Sequence, residues 1–177
     1  AIFGIPNSVS EIYIPLTVLQ RPKSRGFIKL RSKDPLEAPI MDPRYLSDIR
    51  DVQTLVEGVK VAMKIGHTKT MLDRFETKVN TVKIPGCESE EFGSDEYWSC
   101  AVRKVATTIY HHVGTCKMGP RSDPDAVVDN TLKVHGIKGL RVIDSSIMPT
   151  VITGNTHAPT VMIGERGSDF VKDDWLK

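Results

Sequence analysis

The stretch Val128-Asp129-Asn130-Thr131-Leu132-Lys133-Val134-His135-Gly136-Ile137-Lys138-Gly139-Leu140-Arg141-Val142-Ile143-Asp144 holds the most organised pattern in the chain. Glycines punctuate short apolar pieces, and the last piece, Leu140 to Asp144, is a compact apolar run ended by an acid. That run predicts a buried strand, and an acid at such a strand end stands where open α/β sheets gather ligand contacts. Taken alone, Asp144 reads better as an N-cap or turn acid.

Two further segments flank this stretch. Upstream lies Tyr110-His111-His112-Val113-Gly114-Thr115-Cys116-Lys117-Met118-Gly119. In an extended segment His111 and His112 point to opposite faces, so they cannot both serve one metal or one reaction. The glycines permit close approach by another backbone or a flat ligand. A histidine pair of this kind, on its own, is most often structural. Downstream lies Gly154-Asn155-Thr156-His157-Ala158-Pro159-Thr160, followed by helical spacing from about Pro159 to Val171 through Val161, Met162, Ile163 and Phe170. Asn155 or His157 can hydrogen-bond a substrate hydroxyl, and the helix start offers backbone donors. Spacing alone favours an ordinary N-cap at Asn155 or Thr156.

Nearer the amino terminus, Glu11 to Leu19 and Gly26 to Arg31 read as strands. The segment Asp34 to Tyr45 carries Pro35, Pro39 and Pro43 and reads as extended and irregular. Asp48 to Ile65 is the clearest helix, with Val52, Leu55, Val56, Val59, Ala62 and Met63 forming one apolar stripe. Thr77 to Ile84 reads as a short strand ended by Pro85-Gly86, and Ser94 as the cap of a helix reaching Ala106. The class is α+β.

Composition removes several function classes. Among 177 residues the apolar share is 40% and the formal charge +2, with 24 scattered basic residues. That balance gives no reason to expect nucleic acid. No apolar run approaches the ~18 residues of a membrane span. Cys87, Cys100 and Cys116 form no Cys-x-x-Cys pair, so no metal site is expected. Cys87 and Cys100 flank a short acidic loop: in a secreted protein they can bridge and leave Cys116 free, and otherwise all three stay reduced. The opening Ala1-Ile2-Phe3-Gly4 has no initiator Met and no signal-peptide pattern, so the chain reads as beginning within a longer protein.

Together and in this order, the three segments resemble the carboxyl-terminal signature of the glucose–methanol–choline (GMC) oxidoreductase family. The matching features are Tyr110-His111 with Gly114-Thr115, the run from Val128 to Asp144, and Gly154-Asn155 through Gly164-Glu165-Arg166. Cys116-Lys117-Met118-Gly119 and the segment from Gly86-Cys87 to Tyr97-Trp98 look most like the insect, glucose-dehydrogenase-like branch. The resemblance implies a substrate-binding portion over residues 1–105, with an antiparallel or mixed sheet and helices. It implies that residues 106–177 complete the active site and the Rossmann-type FAD-binding domain. Members hold the dinucleotide on an amino-terminal Gly-x-Gly-x-x-Gly turn, a spacing this chain lacks. The expected partner is therefore an amino-terminal FAD-binding domain outside this sequence, and the expected location is extracellular.

The implied reaction is oxidation of a CH–OH donor, of sugar or sterol-like kind, with hydride passing to FAD. By this resemblance His111 is the base that takes the alcohol proton, and Asn155 is the second catalytic position, orienting the hydroxyl. Asp144 and Ser145 match a segment that contacts the ribityl chain. Thr156 and His157 match the approach to the pyrimidine side of the ring, with substrate contact as the alternative for His157. A competing reading is a non-catalytic remnant of the same fold. A metal-dependent hydrolase using His111, His112, His135 and His157 is remote, because no His-x-x-x-His pair exists.

Overall fold

The computed structural model describes residues 12–176. They divide into two compact units: one takes 12–19, Lys23–Arg25 and Arg44–Thr107, the other Gln20–Pro22, Gly26–Pro43 and 108–176.

The first unit is built on three helices, α1 (Ile49–Gly66), α2 (Lys69–Phe75) and α3 (Asp95–Val105). The apolar stripe of α1 delivers Val52, Leu55 and Val56 into a core with Leu46 and with Val102 of α3. Asp48 caps α1 by accepting from the Arg50 amide at 2.9 Å, and the Arg50 guanidinium grips the same carboxylate. That side-chain bond, then the amide, hold the Asp48 carboxyl down to about 2. Ser94 caps α3 through Tyr97 N at 3.0 Å, with Asp95 and Glu96 in the first turn, where the helix dipole favours acids. A second small core joins Cys87, Tyr97 and Ala101, with Phe92 and Trp98 against Tyr97. Cys87 and Cys100 are disulfide-bonded with Cα atoms 5.8 Å apart, and Cys116 is a free thiol.

In the second unit, β1 (Phe27–Lys29) pairs antiparallel with β2 (Ile40–Asp42), with Ile28 opposite Met41. Beyond residue 108 short bridges replace strands: Met118 with Val128, Val128 with Val134, Lys133 with Arg141. One Asp129 oxygen holds the tight loop, accepting from Thr131 N, Thr131 Oγ1 and Lys133 N at 2.7–3.0 Å. Burial alone would raise that carboxyl, yet these bonds carry it below the usual range. Val128, Leu132, Ile147 and Met148 close on Ile163 of α4 (His157–Trp175).

Several expectations need correction. Residues 12–19 form no strand; Pro15 removes a ladder donor, and the segment instead sends Leu19 into the core of α1. Glu11 lies outside the described residues. Thr77 to Ile84 is irregular as well, with no neighbouring strand among the described residues to complete a ladder. The proline-rich segment does contain a strand, because β2 fits between Pro39 and Pro43. Leu140 to Asp144 is not a regular buried strand: only Arg141 bridges, and Leu140 is exposed. The α+β class stands on the helices together with the β1–β2 pair.

Candidate active site

Every singled-out site residue belongs to the second unit. Asp144 begins a single 3-10 turn, Ser145–Ile147, and caps it: its Oδ1 accepts from Ser146 N at 2.7 Å. The carboxylate is otherwise exposed, so Oδ2 remains available to a hydroxyl donor, with Ser145 half-buried beside it.

The two histidines sit in different environments, though not for the reason strand alternation supplies. Residues 108–113 are not a strand, and Tyr110 adopts φ 64°, a left-handed conformation that interrupts any extended run just before His111. Tyr110 N is held there by Thr108 Oγ1 at 2.9 Å. His111 is half-buried and its Nδ1 lies 2.8 Å from Thr156 Oγ1, while His112 is exposed. A contact across 45 residues of sequence therefore joins two of the three motif segments.

The start of α4 explains how Thr156 comes to be there. Thr156 precedes the helix with φ −79° and ψ −2°, in helical rather than extended backbone, and its side chain caps nothing. The third helical position is Pro159, which has no amide hydrogen for a capping hydroxyl to receive. The Thr156 carbonyl instead accepts from Thr160 N at 3.1 Å and Thr160 Oγ1 at 2.6 Å. Thr156 is buried, while its neighbours Asn155 and His157 are exposed. The amides of His157 and Ala158, at the first two helical positions, lack an intrahelical acceptor and suit an electron-rich group.

The spacing offers Thr156 as an N-cap and the resemblance gives its backbone an approach to the flavin ring; neither identifies its hydroxyl as the partner of His111. Pro159 was a partial signal, since it removes one of the two amides that a threonine three residues earlier can cap.

One broad hollow of about 400 Å³ is lined by Met118, Gly119, Pro120, Arg121, Asp129, Asn130 and His135. His111, Asp144, Ser145, Asn155, Thr156 and His157 do not line it. Two of its polar groups are engaged: His135 Nε2 donates to Gly119 O at 3.0 Å, and Asp129 holds its loop. It is a gap in a loop scaffold. Among the described residues no group of His, Cys, Asp and Glu is placed to hold a metal ion, and no helix is long and apolar enough to cross a membrane.

A histidine held by a buried hydroxyl at the open start of a helix is an arrangement that can exchange a proton with a neighbouring group. The GMC oxidoreductase family model matches residues 22–164, and the chain belongs to that family. Its sequence is 52% identical over 171 residues to glucose dehydrogenase (FAD, quinone) of Drosophila pseudoobscura pseudoobscura, covering 97% of this chain and 27% of that protein. It is 42% identical over 150 residues to alcohol dehydrogenase (acceptor) of Pseudomonas putida, covering 85% of this chain and 26% of that protein. Among solved structures, a fungal aryl-alcohol oxidase aligns with TM-score 0.74 at 31% identity, over 90% of this chain and 25% of the other. The chain thus spans about a quarter of the length of these relatives.

Proposed function

We propose that this chain is the carboxyl-terminal part of an FAD-dependent oxidoreductase acting on CH–OH donors, and that it supplies the proton-accepting side of the active site. The observation carrying this reading is the His111–Thr156 bond, which ties the imidazole to the residue between Asn155 and His157 at the open start of α4. Family membership and the flavin-dependent names of relatives support it.

The residues present fit part of the cofactor. The amides of His157 and Ala158 suit the carbonyl-rich edge of the ring, which Thr156 and His157 would approach. The open Asp144 oxygen and Ser145 suit the hydroxyls of the ribityl chain. The pyrophosphate has no glycine-rich cradle in this sequence and would be held by an amino-terminal Rossmann-type domain, which residues 106–177 help to complete. Residues 1–105 would form the portion that covers the substrate.

When bound, FAD supplies the two-electron acceptor. The chain's own task is the proton. An alcohol holds its proton far above neutral pH, so a base must take it as the carbon is oxidised. His111 takes that role, and Asn155 orients the hydroxyl and stabilises developing negative charge. A positioned base of this kind contributes about 10²–10⁴-fold. The Cys87–Cys100 disulfide supports an oxidising, extracellular location.

The test is the absorbance spectrum of the full-length protein, followed by anaerobic addition of sugar, sterol and simple aliphatic alcohols. A flavin spectrum bleached by at least one alcohol is expected. A colourless full-length protein, or a bound flavin that no alcohol bleaches, would contradict the reading.

A further inference from the structure

The geometry points to Thr156 as the positioning residue for His111: its hydroxyl oxygen accepts from Nδ1–H and so keeps the lone pair on Nε2. This rests on the reading of His111 as the base. A neutral imidazole carries one proton, and the 2.8 Å contact admits two arrangements. In one, Nδ1–H donates to Thr156 Oγ1 and Nε2 is left with its lone pair. In the other, the hydroxyl donates to Nδ1 and Nε2 carries the proton, which leaves no ring atom able to take one from an alcohol. Only the first is a competent base.

Three local features dedicate Thr156 to this contact. Its hydroxyl makes no cap bond to α4, and Pro159 offers it no amide at the third position. Its carbonyl is fixed from the next turn by both Thr160 N and Thr160 Oγ1, so the residue is anchored independently of the histidine. It is only 8% exposed, so water does not readily replace the hydroxyl as a partner for Nδ1. From the other side, the left-handed backbone at Tyr110 fixes where the His111 ring begins. The base is held at its backbone by one strained residue and at its ring by the start of α4.

The direct test is nitrogen NMR of 15N-histidine-labelled full-length protein, with His111→Gln identifying the signals. Wild-type His111 should show a protonated Nδ1 and a bare Nε2. Thr156→Val keeps the shape and removes the acceptor, and should shift the ring toward the Nε2-protonated form. Cofactor reduction by alcohol should slow about tenfold in Thr156→Val, and Thr156→Ser should restore both rate and tautomer. A wild-type ring protonated on Nε2 would overturn the assignment, and needs no variant to fold. An unchanged tautomer in Thr156→Val would overturn it too. Neither result touches His111 itself: an undiminished rate in His111→Gln is what would sink the base reading, and it leaves the tautomer measurement standing.

Discussion

Asp51, in the first turn of α1, is a buried charge that the chain has surrounded with donors. It is 2% exposed and accepts from Lys23 N at 2.8 Å, Ser24 N at 2.7 Å and Ser24 Oγ at 2.6 Å. Burial pushes its carboxyl up, but the Ser24 hydroxyl and the two amides outweigh that and carry it below 3.8. A lowered value means that Asp51 stabilises fully above its unfolded value and loses that contribution as pH falls through the folded one. Replacing it by Asn swaps an acceptor oxygen for a donor against buried amides. Asp51→Asn should cost about 2–3 kcal/mol in urea unfolding at pH 7. The gap to wild type should narrow as pH drops below 3.8; a gap independent of pH would contradict this account. Such contacts were not legible in the sequence. Asp51 reads there as one more acid in a helix start, and Thr156 as a cap, because both roles depend on which distant segment folds back.

At the scale of elements, helices with strong local signals were legible, as was β1 within Gly26 to Arg31, whereas its partner β2 was not. α1 and α3 announce themselves through Asp48, Ser94 and their apolar spacing, and both form with those caps. The seven-residue α2 buries nothing and has no side-chain cap, so it left no pattern to find. Strand-like residues at 12–19 and 77–84 meet no neighbouring strand among the described residues, and a strand without a partner is not a strand. The seat of α4 shows a different kind of constraint. A Cβ at Gly167 would run into the Ile143 side chain, beneath the loop that positions Asp144. Alanine in a helix is favoured over glycine by about 1 kcal/mol, whereas overpacking costs about 1–3 kcal/mol. Gly167→Ala should therefore be destabilising or neutral in thermal unfolding. A clear gain would show that α4 does not rest on Ile143.

The whole molecule carries two marks of its circumstances. The Cys87–Cys100 bridge closes a loop with a sequence separation of 13 around the small aromatic core. The Cys87→Ala, Cys100→Ala double variant should lose about 2–4 kcal/mol, read as a lower denaturation midpoint; an unchanged midpoint would show that the aromatic cluster suffices. Leu16, Leu30, Leu36 and Phe75 are each more than 65% exposed, apolar surface of the kind that a further domain covers. Expressed alone, these 177 residues should purify without flavin and bind an apolar dye or self-associate. A yellow preparation, or an inert monomer, would count against a missing partner domain. The account turns finally on one imidazole acting within the full-length protein. Rapid-mixing measurement of cofactor reduction by alcohol in His111→Ala and His112→Ala tests it most directly. His111→Ala should slow reduction by about two or more orders of magnitude with cofactor content unchanged, while His112→Ala stays near wild type. If His112→Ala proves the more damaging of the two, the base has been misassigned.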